Sequence, residues 1–210
     1  KNVFKESYNF FGKTVKPVKL APIEVSQAVV PAEFEIDPRE ITPKQITEYA
    51  QLCVRTAKNY HPFVRRVALA INTSISRQLF ISSEGAVIDQ WHCSSGGTVF
   101  IVSANDKGDA PIDLYHHTGN QLGFEALAKG KNAHALTFEK FAETIADETV
   151  QLCNAKPAPA IDKPTTVVLD PDLVALFAHE IIGHPSELDR ALKWETGYAG
   201  RSWFFKTLEN

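Results

Sequence analysis

Arg77-Gln78-Leu79-Phe80-Ile81-Ser82-Ser83-Glu84-Gly85-Ala86-Val87-Ile88-Asp89-Gln90-Trp91-His92 is the stretch that decides the fold class. Its first six residues read as a strand, Ser83-Glu84-Gly85 as a turn, and Ala86 onward as the returning strand. Working outward, Val67-Ala68-Leu69-Ala70-Ile71 reads as a buried strand before it and Thr98-Val99-Phe100-Ile101-Val102 as another after it. Consecutive strands joined by short turns predict an antiparallel meander. Helices flank it. Thr42-Pro43-Lys44-Gln45 combines a cap, a first-turn proline and the glutamine of a capping box. Ile46, Tyr49, Ala50, Cys53, Val54, Ala57 and Tyr60 follow at helical spacing, until His61-Pro62 ends the pattern. Thr137 caps a second helix running to about Cys153, with Phe138, Phe141, Ile145 and Leu152 on one face. The expected class is therefore α/β in the α+β sense: a mixed N-terminal sheet with an antiparallel meander and packed helices.

Elsewhere the pattern is looser. Residues 1–41 read as irregular, broken by Pro17, Pro22, Pro31 and Pro38. Residues 105–131 are polar and Gly-rich and read as a long connection, which puts His116-His117 in a polar loop with no metal role. Ala155-Lys156-Pro157-Ala158-Pro159-Ala160 reads as a linker. A domain boundary near 160 follows: 1–160 as an N-terminal α+β domain, 161–210 as the start of another. Thr165-Thr166-Val167-Val168-Leu169-Asp170 reads as a short buried strand. Asp170-Pro171-Asp172 then opens a helix through Leu173-Val174-Ala175-Leu176-Phe177-Ala178.

The 210 residues include 22 basic and 25 acidic side chains, for a formal net charge of −3. No basic excess supports nucleic-acid binding. Hydrophobic residues make up 44% and mean hydropathy is −0.17. No apolar run approaches the ~18 residues that a membrane span needs, so no membrane association is expected. No secretory pattern follows Lys1 and Lys5, and the cysteines, Cys53, Cys93 and Cys153, are odd in number and far apart. They read as reduced core thiols in a cytoplasmic protein rather than a disulfide framework. The sequence starts at Lys1 and has no methionine; it reads as an internal piece of a longer protein, or as one from which residues are missing.

The chemistry lies in His179-Glu180-Ile181-Ile182-Gly183-His184. Two histidines with a glutamate directly after the first is the grammar of a metallohydrolase: imidazoles hold the metal, and the carboxylate handles a proton of water. The usual spacing is i, i+4, which puts both histidines on one helix face. Here it is i, i+5, about 140° apart on a regular helix, so an undistorted helix cannot bring them together. A π turn, or termination near Gly183, solves this; Gly183 relaxes the local dihedrals and Pro185 withholds a helical hydrogen bond. The apolar run before the motif predicts that the pair lies in an interior. Glu187 reads as a substitute ligand or, by preference, as a supporting or surface carboxylate. Arg201 reads as a clamp for a peptide carboxylate or carbonyl, or as a structural arginine.

The run from Val167-Val168-Leu169-Asp170-Pro171 through His179–His184 and on to Glu195 and Tyr198-Ala199-Gly200-Arg201-Ser202-Trp203 resembles the TldD/PmbA family, the so-called modulators of DNA gyrase. It is closest in kind to the metal-bearing TldD-like subunit. Ser82-Ser83-Glu84-Gly85 matches the family's N-S-x-G turn, with serine in place of the usual asparagine. The resemblance covers about 45–205, strongly over the last 45 residues. It implies a zinc metallopeptidase of the H-E-x-x-x-H type acting on unfolded or short peptides. His179 and His184 become zinc ligands and Glu180 the general base. The family's third ligand is a cysteine in a later domain, and this sequence has no cysteine after Cys153. It also implies a homodimer, or a heterodimer with a PmbA-like subunit. The rival expectation is a non-catalytic peptide-binding or partner subunit.

Overall fold

The computed structural model describes residues 24–194, 197 and 200–203, so Glu195, Tyr198 and Ala199 of the family-like run lie outside the described residues. The chain divides into two compact units, 1–156 and 157–210.

The first unit is a mixed sheet with helices against it. Its elements are β1 (Gln27–Val30), α1 (Pro43–Asn59), β2 (Val64–Ile81), β3 (Val87–Ser103), β4 (Ile112–Asn120), α2 (Glu125–Ala128) and α3 (Phe138–Asn154). β3 is the central strand. β2 runs antiparallel along one side of it, from Val64↔Ser103 to Ile81↔Val87. On the other side, β1 pairs parallel with the start of β3 and β4 pairs antiparallel with its end. The mixed sheet and flanking helices match the expected α+β class.

Several sequence expectations change here. The four short strands expected between 67 and 102 are two long ones. The polar stretch Asn72-Thr73-Ser74 does not interrupt β2, because an extended backbone paired throughout tolerates hydroxyl side chains: Ser74 and Ser94 hydroxyls bond each other at 2.8 Å. Gly96 and Gly97 likewise continue β3 rather than turn it. A Cβ on Gly97 would stand 2.4 Å from the Phe138 ring, so glycine is what lets α3 close on the sheet. Residues 105–131 are not one long connection either. They contain β4, with His116 opposite Val99 and His117 opposite Thr98, so the His pair sits in a strand rather than a loop. A paired neighbour with apolar Val99, Phe100 and Ile101 outweighs the polar composition of this segment. β1 and a short 3-10 turn at Pro38–Glu40 likewise give local order within 24–41.

The expected helix starts are present. Thr42 accepts from the Gln45 backbone at 3.3 Å while Gln45 Oε1 accepts from the Thr42 backbone at 2.9 Å. Thr137 caps α3 through the Lys140 backbone N–H. Burial alternates along β3, so Cys93, Ser95, Gly97, Val99, Ile101 and Ser103 face the helices. Phe138, Phe141, Ile145, Cys53 and Ala57 complete that core. Leu152, expected on the same face of α3, is exposed.

A buried carboxylate fastens the segment after β1. Glu125, 1% exposed, accepts backbone hydrogen bonds from Glu35, Ile36 and Gly123 at 3.0, 2.9 and 3.1 Å. Burial pushes its carboxyl upward, but the donated N–H bonds outweigh this and hold it below the usual carboxylate value. Lys129 and Lys131 pair with the Glu35 side chain above it.

In the second unit, 157–170 forms no strand. Val167 and Val168 are 67% and 92% exposed, which corrects the buried strand expected there. A strand needs a neighbour to take its backbone hydrogen bonds, and the described residues of this unit hold none. Then come α4 (Pro171–Ala178), a π turn (His179–Gly183), a 3-10 turn (His184–Ser186) and α5 (Leu188–Ala191). No helix among the described residues is long and apolar enough to cross a membrane.

Candidate metal centre

α4 begins as its sequence predicts. The Asp170 side chain accepts from Leu173 N at 2.8 Å, and Pro171 takes the first turn, where no N–H is missed. The α-helical ladder holds to His179, whose N–H reaches both Ala175 and Leu176 carbonyls. There it widens. The His184 N–H donates to the His179 carbonyl, five residues back, and closes a π turn. Pro185 lacks an N–H and stops the pattern, and the Ser186 hydroxyl donates to the Ile182 and Gly183 carbonyls that the helix end leaves open.

The π turn does what the i, i+5 spacing requires. The His179 and His184 rings meet edge to face, with centroids 4.4 Å apart at 87°. His179, Glu180 and His184 bring their donor atoms within 4.8 Å of one another. Gly183 has an ordinary helical backbone, φ −58°, and a Cβ there would meet nothing closer than the Ala178 carbonyl at 3.9 Å. The bend therefore does not depend on glycine's special dihedrals. Gly183 takes φ −58° and ψ −69°, values within reach of any L-residue.

The site is open. The side chains of His179, Glu180 and His184 are 60%, 59% and 32% exposed. Leu173, Val174, Leu176, Phe177, Ile181 and Ile182 on the same helix are all exposed, which corrects the interior placement expected from the apolar run. A helix apolar on every side signals burial only when something covers it, and the described residues of this unit do not.

His184 is held on its far side. Its Nδ1 lies 2.8 Å from Glu187 Oε1, and Glu187 Oε2 lies 2.6 Å from Arg190 Nε. Arg190 has no role assigned from sequence alone. The signal was there in the i, i+3 spacing of opposite charges from Glu187. Arg201 is exposed, and the neighbouring Ser202 hydroxyl donates to the Pro185 carbonyl. The three cysteines all belong to the first unit and are buried. Burial, helped by the nearby Glu139 charge, pushes the Cys53 thiol up to about 12.

The donor set suits a divalent metal of borderline softness. Two imidazoles bind zinc at about 2.0–2.1 Å each, and the donor atoms of this group lie within 4.8 Å of one another. His184 would meet such an ion through Nε2, since its Nδ1 lies 2.8 Å from Glu187 Oε1.

Sequence comparison agrees with this chemistry. A metalloprotease of Methanothermobacter thermautotrophicus is 27% identical over 127 residues, 60% of this chain and 26% of that protein. A metalloprotease of Methanocaldococcus jannaschii is 22% identical over 160 residues, 76% of this chain and 32% of that one. No family model matches the sequence. The chain thus spans about a quarter to a third of the length of the curated relatives it matches. Its distant relatives are named metalloproteases, and the chain itself carries a His-Glu-His group able to hold a metal.

Proposed function

We propose that this chain belongs to a zinc-dependent peptidase of the TldD/PmbA type that hydrolyses unfolded or short peptides. The observation that carries the reading is the π turn, which brings two histidines five residues apart to one point beside Glu180. The names of the two relatives support the reaction class.

In this reading His179 and His184 hold the ion through neutral imidazole nitrogens. Zinc, when bound, supplies Lewis acidity that lowers the pKa of a water and polarises a peptide carbonyl. Glu180 accepts a proton from the water at a carboxylate oxygen as the C–O bond forms. It then delivers that proton to the amine as the C–N bond breaks. The third protein ligand is a cysteine outside this segment, as the resemblance implies. Residues 1–160 act as a peptide-binding domain, and 161–210 open the catalytic one. Among the described residues β2 pairs only with β3, and its other edge suits the backbone of an extended peptide. The assembly is a cytoplasmic homodimer or a heterodimer with a PmbA-like subunit, without nucleic acid or membrane as partner.

The test is elemental analysis of the protein together with a peptide-hydrolysis assay of Glu180→Gln. The expected result is bound zinc in both forms and hydrolysis only in the wild type. Full activity in the variant removes Glu180 from the mechanism. Zinc under roughly 0.1 per chain favours a non-catalytic peptide-binding subunit instead.

A further inference from the structure

We infer that Glu187 is a positioning residue for His184: it holds the imidazole by Nδ1 so that Nε2 faces the metal site, and Arg190 holds Glu187 in turn. This rests on the metal-site reading given above and adds to it the group that orients one ligand.

Three contacts carry the inference. Glu187 Oε1 lies 2.8 Å from His184 Nδ1. The Glu187 backbone N–H donates to the His184 carbonyl at 3.2 Å, so the same residue grips both the ring and the main chain of His184. The other carboxylate oxygen, Oε2, lies 2.6 Å from Nε of Arg190, whose side chain is 14% exposed. Both oxygens of Glu187 are thus engaged, and Glu187 is not part of the converging donor group of His179, Glu180 and His184. That decides against Glu187 as a substitute ligand.

The chemistry follows from the tautomers of imidazole. A neutral histidine that donates from Nδ1 to a carboxylate has its lone pair on Nε2, the atom a metal needs. An isolated imidazole is protonated mainly at Nε2, the wrong nitrogen. A carboxylate behind the ring fixes both tautomer and ring orientation, and loss of such a partner typically weakens metal binding about 10–100-fold. Among the described residues His179 has no carboxylate within hydrogen-bond reach: Glu180 Oε1 lies 3.9 Å from its Nε2. The two ligands are therefore unequal, with His184 the preset one.

The experiment compares wild type, Glu187→Ala and Glu187→Gln by competition for Zn2+ against a chelating dye. Ring-nitrogen NMR of metal-free protein, labelled at histidine, reads the His184 tautomer. Glu187→Ala is expected to bind Zn2+ about 10–100-fold more weakly and to shift His184 toward the Nε2–H form. Glu187→Gln, whose amide oxygen still accepts from Nδ1–H, is expected to keep the tautomer and most of the affinity; a structural role of the charge alone would not be rescued this way. Unchanged Zn2+ affinity and unchanged tautomer in Glu187→Ala overturn the inference. His179→Ala and His184→Ala test the site itself. If these bind Zn2+ as wild type does, the metal site lies elsewhere and the His184–Glu187 pair is only structural.

Discussion

His179 and His184 touch edge to face across a single π turn, although they stand five positions apart in the chain. The contact depends on the path of the backbone rather than on any one side chain. Its consequences for the candidate site can be checked by changing the turn itself.

Gly183 sits in that turn with a helical backbone and open space where a Cβ would go. Gly183→Ala is therefore expected to leave metal affinity unchanged, and the better helix propensity of alanine favours the turn by up to about 1 kcal/mol. A Co2+ titration and a thermal melt measure both. A large loss of binding means the turn does need glycine.

In the first unit, Gly97 has no room for a side chain under Phe138. Gly97→Ala is expected to destabilise this unit by about 1–3 kcal/mol, as overpacking does. Shrinking the ring with Phe138→Leu should recover part of the loss, seen as a favourable coupling in a urea-denaturation cycle. Strictly additive effects count against the contact as the cause.

Glu125 makes three backbone hydrogen bonds in the interior. Glu125→Ala leaves those donors unpaired and is expected to cost about 3 kcal/mol or more. The carboxyl is held below its ordinary value of 4.5, so its contribution is fully present above that pH. It is lost as pH falls through the lower value in the folded protein. Urea denaturation of wild type and Glu125→Gln between pH 7 and 3 reads this out: the variant should show the shallower fall. Parallel curves would contradict the linkage.

Cys53, Cys93 and Cys153 are all buried, and the Cys53 thiol is pushed up to about 12. At pH 8 the native protein should react slowly with a thiol reagent such as dithionitrobenzoate, and all three thiols should react once it is unfolded. Rapid reaction of the native protein would show that the core opens readily.

Local chemistry made much of this legible. Thr42 with Gln45, Thr137, and Asp170 with Pro171 announce helix starts, because a cap needs only residues three or four apart. Ser82 to Gly85 announces the hairpin for the same reason: Gly85 has φ +105°, which glycine takes without strain. Strand extent is not legible locally. Residues 72–76 and 93–97 fall between the strands expected from sequence, and only pairing with neighbouring strands keeps them extended. Pairing with β3 likewise puts His116 and His117 in a strand, which their polar surroundings do not announce. The apolar residues of α4 suggest an interior although they are exposed, because composition reports what wants to be covered, not what covers it.

Residue identity alone sets the chemistry available at the candidate site. His179, Glu180 and His184 supply nitrogen and carboxylate donors, and their spacing rules out a regular helix between them, because 3.6 residues per turn cannot superpose positions five apart. Only the folded backbone decided how the conflict resolves, through one hydrogen bond from His184 to His179. The fold also decided that Glu187 stands behind His184 rather than among the donors. Its orientation follows from the 3-10 turn at Pro185 and the pull of Arg190, which emerge only once the chain has turned.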